Sequence, residues 1–255
     1  MKRQKFLVLL LMIISLIADF MKNTVVTAIF LTILSIFNLS GQDNKKVMDW
    51  ANLTRYKEAN ISLLKEKPSS STIVLMGNSI TEGWVRERPD FFKANTNLVG
   101  RGISGQTTPQ MLLRFKQDVV HLKPKLVVLL CGINDIAQNT GPISQSEIMD
   151  NIISMCELAV ANKIGVILSS VLPASDFPWR PGMNPGPKVV SLNEDIKKYA
   201  KLKGHVYLDY YSSMEDGNLG LRPGLSTDKV HPTPAGYAIM EPLLLAAIQK
   251  GLKKL

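Results

Sequence analysis

Cysteine is scarce: Cys131 and Cys156 are the only two in 255 residues. One ends a strand pattern and the other sits in a helical one, so both read as small buried side chains rather than a bridge or metal ligands. No hydrophobic run is long enough to span a bilayer comfortably. The two N-terminal apolar runs, 6–18 and 25–37, are separated by Asp19 and Lys22. Each is short for a hydrocarbon layer of ~30 Å, and the intervening charges prevent one long span. Basic blocks are missing too. Of the formal charge of +9, +3 lies in residues 1–42, and the rest is scattered apart from short pairs such as Lys45-Lys46 and Lys253-Lys254. That pattern describes a solvated surface and argues against a nucleic-acid face. Internal repeats and low-complexity linkers are absent as well.

What is present suffices for one sizeable core: 255 residues at 45% hydrophobic content, with two small cores the less economical alternative. The second apolar run has the form of a secretory signal, with Met21-Lys22 as basic start, an apolar stretch to Phe37 and small residues at Ser40-Gly41. The expectation is an N-terminal hydrophobic segment over 1–41, with Met21 as the candidate true start, and an exported domain over 43–255. An uncleaved membrane anchor is the alternative. No cysteine follows the run to accept a lipid.

Apolar strand patterns alternate with helical ones from residue 43 onward. A helix over 43–67 carries Val47, Trp50, Leu53 and Tyr56. Strands follow at 72–76, 97–99, 126–130, 166–172 and 205–208, and helices at 108–122, 144–162, 188–203 and 234–253. The fourth strand leads into a long loop, 173–187. Alternation of this kind predicts a parallel sheet covered on both faces.

The chain is organised around Gly77-Asn78-Ser79, where the first strand stops at a glycine and meets a hydroxyl residue. A serine there sits at the carboxyl edge of the sheet, where open α/β sheets bind ligands. Asp228-Lys229-Val230-His231-Pro232 supplies a histidine three residues after a carboxylate that can hold its ring, which is what a general base for serine requires. The loops Gly102-Ile103-Ser104-Gly105 and Gly132-Ile133-Asn134-Asp135 follow the second and third strands and offer a glycine N–H and an asparagine amide to a developing oxyanion. Read without context, each is equally an ordinary turn or cap. Gly100 to Gly105 also matches the dinucleotide fingerprint G-x-G-x-x-G, but it follows the second strand, and the next strand ends in Cys131 rather than an acid for a ribose. Trp179 and Arg180, in the loop after the fourth strand, are candidate substrate contacts or a cover over the core. Trp84 is placed near the site's rim. His121 and His205 have no neighbours that would make them catalytic.

Together, Gly77-Asn78-Ser79, Gly105, Gly132-Ile133-Asn134-Asp135 and Asp228-Lys229-Val230-His231-Pro232 resemble the four blocks of the SGNH, or GDSL-type, hydrolases, in order and over about 72–250. The resemblance implies a three-layer α/β/α, flavodoxin-like sandwich with a central parallel sheet of about five strands. It also implies serine ester hydrolysis without metal or cofactor. On the same resemblance Ser79 is the nucleophile, His231 the base and Asp228 its orienting partner, and the Ser79 N–H, Gly105 N–H and Asn134 amide form the oxyanion hole. Asn78 departs from the family, which commonly has aspartate before the serine.

The resulting expectation is an exported esterase that removes small acyl groups, acetyl first, from a small-molecule or glycan ester. Nucleic acid is not a partner, and membrane contact is confined to the N-terminal segment if it is retained. A lipid-directed esterase, an acyltransferase and a silent glycan-binding module are the alternatives. Oligomeric state is left open.

Overall fold

The computed structural model describes residues 9–22, 49–66 and 72–255 of the chain. It divides into two units, Met1–Met48 and Asp49–Leu255. Of the first, residues 9–22 form a helix with every residue exposed. The apolar run 25–37 and the small residues after it lie outside the described residues. Among the described residues, no helix is long and apolar enough to cross a membrane.

The second unit is built on five strands: β1 (Ile73–Gly77), β2 (Leu98–Gly102), β3 (Leu126–Leu130), β4 (Gly165–Ser169) and β5 (Val206–Leu208). They pair in the order β2-β1-β3-β4-β5, and every pairing is parallel. Every residue of β1 and β3 is buried, which explains their unbroken apolar sequences: neither face meets water. This is the doubly wound flavodoxin-like order, in which the chain steps from β1 out to β2 and returns past β1 to β3. Helices connecting the strands cover both faces, giving the three-layer α/β/α sandwich that the resemblance implies.

The helices are α1 (Lys57–Lys65), α2 (Ser79–Glu87), α3 (Pro89–Ala94), α4 (Thr108–Asp118), α5 (Ile133–Ile136), α6 (Gln145–Ala161), α7 (Pro185–Lys203), α8 (Tyr211–Met214) and α9 (Pro234–Leu252). The capping signal expected at Ser144 is realised, with the Ser144 and Glu147 side chains each accepting the other's backbone N–H.

Several boundaries differ from expectation, with β2 running on to Gly102, α4 ending at Asp118 and α7 starting at Pro185; two further differences have a side-chain cause. The helix expected over 43–67 begins only at Lys57 among the described residues. Asp49 diverts the chain before it: its carboxylate accepts the Leu53 and Thr54 N–H groups at 2.7 and 2.9 Å. Those donors are thereby taken from an α-helical ladder, and Trp50 and Leu53 are left exposed. The fourth strand ends at Ser169 rather than residue 172. Beyond it, the Asn193 side chain takes both the N–H and the carbonyl of Val171, and the Ser170 hydroxyl accepts the Tyr210 and Tyr211 N–H groups.

Candidate active site

Strand register brings the chemistry to one level of the sheet. Gly77, the last residue of β1, lies opposite Gly102 of β2 and Leu130 of β3. The three segments that leave those strands therefore carry Ser79, Gly105 and Asn134 away from the same edge. Ser79 starts α2, and the Asn78 side chain caps it by accepting the Ile80 N–H at 3.1 Å. A first-turn N–H of this kind has no intrahelical partner and faces the end where negative charge is favoured. The approach of β2 to this turn is close: a Cβ on Gly102 would stand 2.2 Å from the Glu82 nitrogen and 2.6 Å from the Asn78 carbonyl. Gly105 has φ +77°, a left-handed conformation that glycine adopts without strain.

Ser79, His231 and Asp228 stand in a hydrogen-bonded line. The Ser79 Oγ is 2.8 Å from His231 Nε2, and His231 Nδ1 is 2.6 Å from Asp228 Oδ2. The other carboxylate oxygen accepts the His231 N–H at 2.8 Å, the Val230 N–H at 3.0 Å and the Ser226 hydroxyl at 3.1 Å. Lys229, at φ +69°, forms the top of this turn. Burial pushes the Asp228 carboxyl up, but the hydrogen bonds from His231 and Val230 outweigh it and hold the group below its ordinary value. An ionised Asp228 accepting at Nδ1 places the ring proton there and leaves Nε2 to accept from the serine hydroxyl.

Asn134, on α5, is 4% exposed. Its amide donates one hydrogen to the Gln106 carbonyl at 2.9 Å and has a second hydrogen to give. The next residue, Asp135, is buried and accepts the Thr108 N–H at 2.9 Å and the Thr108 hydroxyl at 2.6 Å. It thereby ties the β3 segment to the start of α4, and burial raises its carboxyl above the usual range. Glu82, one turn along α2 from Ser79, accepts both the N–H and the hydroxyl of Ser104 and pairs with Arg55 at 2.9 Å.

A cavity of about 470 Å³ opens beside the serine, lined by Ser79, His231, Gly83, Arg86, Ser104 and Tyr237 among others. Arg86 pairs with Glu87 at 3.0 Å on its wall. Trp179 is 43% exposed, stacks on Phe177 at 5.2 Å and lies 6.2 Å from the His231 ring. Arg180 beside it is exposed.

Trp84 requires correction. It is 2% exposed and enclosed by Phe91, Phe92, Tyr210 and Tyr237, so it touches no substrate. Helical geometry gives the reason: residues four apart share a face, and Trp84 shares the inward face of Ile80, which is 1% exposed. Cys131 and Cys156 are free and buried. His205, half-buried against Tyr199, is pushed down by burial and by Lys254 and Lys203.

Sequence reasoning missed the layer beneath the site. Arg114 and Asp118 of α4 are fully buried and pair at 3.0 Å. Arg101, Asn60 and Gln106 complete a polar network around them. The available signal was weak, because an arginine and an aspartate four apart on a helix ordinarily mark a solvated face.

Comparison with known proteins agrees with the fold. A sequence model of the GDSL-like lipase/acylhydrolase family matches residues 75–239. The chain belongs to this family. A GDSL-like lipase from Bacteroides thetaiotaomicron VPI-5482 is 50% identical to this acylhydrolase, covering 79% of it and 99% of its own length at a TM-score of 0.76. A solved structure from Bacteroides fragilis NCTC 9343 gives the same identity and TM-score. The acetylxylan esterase Axe2 of Geobacillus stearothermophilus shares the fold at 21% identity, with 71% of this chain and 94% of its own covered at a TM-score of 0.59. An uncharacterized lipoprotein of Bacillus subtilis strain 168, YqeF, is 28% identical over 117 residues, 40% of this chain. The matched part spans about half the length of that relative, 48%. The protein is accordingly an ester hydrolase of the GDSL type.

Proposed function

We propose that the protein is an exported serine esterase that removes small acyl groups, acetyl first, from a hydroxyl-bearing carbohydrate. The observation that carries this reading is the Ser79–His231–Asp228 line opening on a cavity walled by Arg86, Glu87 and Ser104. A charged, hydroxyl-rich wall suits a polar leaving group and offers little to a long acyl chain. Ser79 attacks the ester carbonyl while His231 takes its proton. The tetrahedral oxyanion is met by the Ser79 and Gly105 N–H groups and the free Asn134 amide hydrogen. His231 then protonates the departing alcohol, and water activated by the same ring hydrolyses the acyl-enzyme. Trp179 offers a sugar ring an aromatic face next to His231. Export is supported by the signal-like N-terminal sequence and by the lipoprotein name of the Bacillus relative.

Nitrophenyl esters from acetyl to long chain, given to the purified protein and to Ser79→Ala, provide the test. Activity falling steeply beyond short chains and absent in the variant is expected. A long-chain optimum would move the substrate to lipids, and activity surviving Ser79→Ala would remove the mechanism.

A further inference from the structure

Arg114 is among the largest completely buried side chains of the described residues, and its guanidinium donates to four acceptors. Nη2 donates to the Gly77 carbonyl at 2.8 Å. Nη1 donates to the Arg101 carbonyl and to Asp118 Oδ2, both at 3.0 Å. Nε donates to Gln106 Oε1 at 2.5 Å. Asp118 is held in turn by Asn60 at 2.7 Å, and Asn60 by Arg101 at 2.8 Å. Burying two charges costs several kcal/mol per ion, and a hydrophobic replacement often serves stability as well or better. Stability alone is therefore a poor reason for this pair, and what the guanidinium holds suggests another.

Its acceptors are the segments that deliver the candidate oxyanion donors. Gly77 precedes Asn78 and Ser79 in sequence. Arg101 is the last residue but one of β2, just before the loop to Gly105. Gln106 follows Gly105, and its main-chain carbonyl accepts the Asn134 amide at 2.9 Å, while its side-chain amide is tied to the Ala51 carbonyl at 2.7 Å. One planar group thus spans the end of β1, the end of β2 and the residue that orients Asn134. The fixed fork of a guanidinium can do this, whereas an ammonium, with its donors on one atom, cannot.

We propose that Arg114 is a positioning residue for the oxyanion hole, setting the Ser79 N–H, the Gly105 N–H and the Asn134 amide relative to one another through Gly77, Arg101 and Gln106. The inference rests on the reading of those three donors above. Displacing prealigned donors by even about 1 Å lowers the rate of the chemical step on the order of a hundredfold without weakening ground-state binding.

The test uses Arg114→Lys, Gln106→Met and Asn134→Ala, alone and combined, in the full chain with a short-chain nitrophenyl ester. Circular dichroism and thermal melting establish folding. Gln106→Met leaves the Arg114–Asp118 pair intact and carries the test should Arg114→Lys not fold. The expected result is kcat lowered about tenfold or more with KM within about twofold. In the Asn134→Ala background the further loss shrinks to about threefold or less, because a hole already broken has less alignment to lose. A folded Gln106→Met with kcat within about threefold of the parent, or losses that multiply in full, overturns the positioning role. An inactive parent, or activity surviving in Ser79→Ala, would instead overturn the serine mechanism on which it rests.

Discussion

Asp228→Asn separates the orienting role of the carboxylate from its packing. Asp228 Oδ1 accepts two backbone N–H groups, from His231 and Val230, so the oxygen of an asparagine amide must occupy that side. Its NH2 group is then forced into the place of Oδ2, which lies 2.6 Å from His231 Nδ1. There it donates to Nδ1 instead of accepting from it, and the ring proton moves to Nε2. A protonated Nε2 facing the Ser79 Oγ at 2.8 Å cannot remove its proton. The same tautomer trap in the serine-protease triad lowers kcat about 10⁴-fold, which corresponds to about 5.4 kcal/mol of barrier at ~1.36 kcal/mol per decade. We expect a loss of that order here, with KM for a short nitrophenyl ester changed little and the melting temperature at pH 7 close to the parent's. Steady-state kinetics beside a thermal melt make the assay. A folded Asp228→Asn protein retaining more than about a tenth of the parent kcat would refute the tautomer argument.

Three further outcomes follow from the same structure. Trp179→Ala should raise KM for an acetylated oligosaccharide while leaving kcat/KM for nitrophenyl acetate within about threefold; equal losses on both substrates would assign the ring to the reaction centre. Trp84→Ala should cost about 3–5 kcal/mol of stability in urea unfolding, as expected for emptying an enclosed aromatic site, and a cost below about 1 kcal/mol would contradict its burial. Because the folded-state pKa of Asp228 is depressed, its stabilisation is present above the unfolded value of ~3.9 and is lost as pH falls through the lower folded value. Any melting-temperature advantage of the parent over Asp228→Ala should therefore narrow below about pH 4; a gap that widens with acid would reverse the sign.

Elements whose environment is uniform were legible from sequence. β3, buried on both faces, is an uninterrupted apolar run with the same bounds in sequence and structure. That Ser79, His231 and Asp228 come together was legible because turn chemistry and carboxylate-to-histidine spacing are local signals. Residues whose environment depends on another element were not. Arg114 and Asp118 look like a solvated helical pair until β1 and β2 close over them. Trp84 is near Ser79 along the chain yet faces α3 and α9 through Phe91 and Tyr237. The turns at 50–56 replaced an expected helix because a single side chain, Asp49, competes for the backbone donors.

The level alignment of β1, β2 and β3 divides the molecule's labour. Ser79 and the candidate oxyanion donors hang from three adjacent strands locked in register, whereas Trp179 rides on the loop after β4. Among the described residues, that loop meets the Asp228–His231 turn through an Asp176–Lys229 pair at 3.5 Å and the Trp179–His231 ring contact. Residues 178–184 can therefore be treated as an exchangeable cassette, with the buried Phe177 kept as its anchor in the core. Transplanting the corresponding segment from a relative should change which alcohol is released while leaving the acylation step intact, so that new specificities are reachable through one short loop.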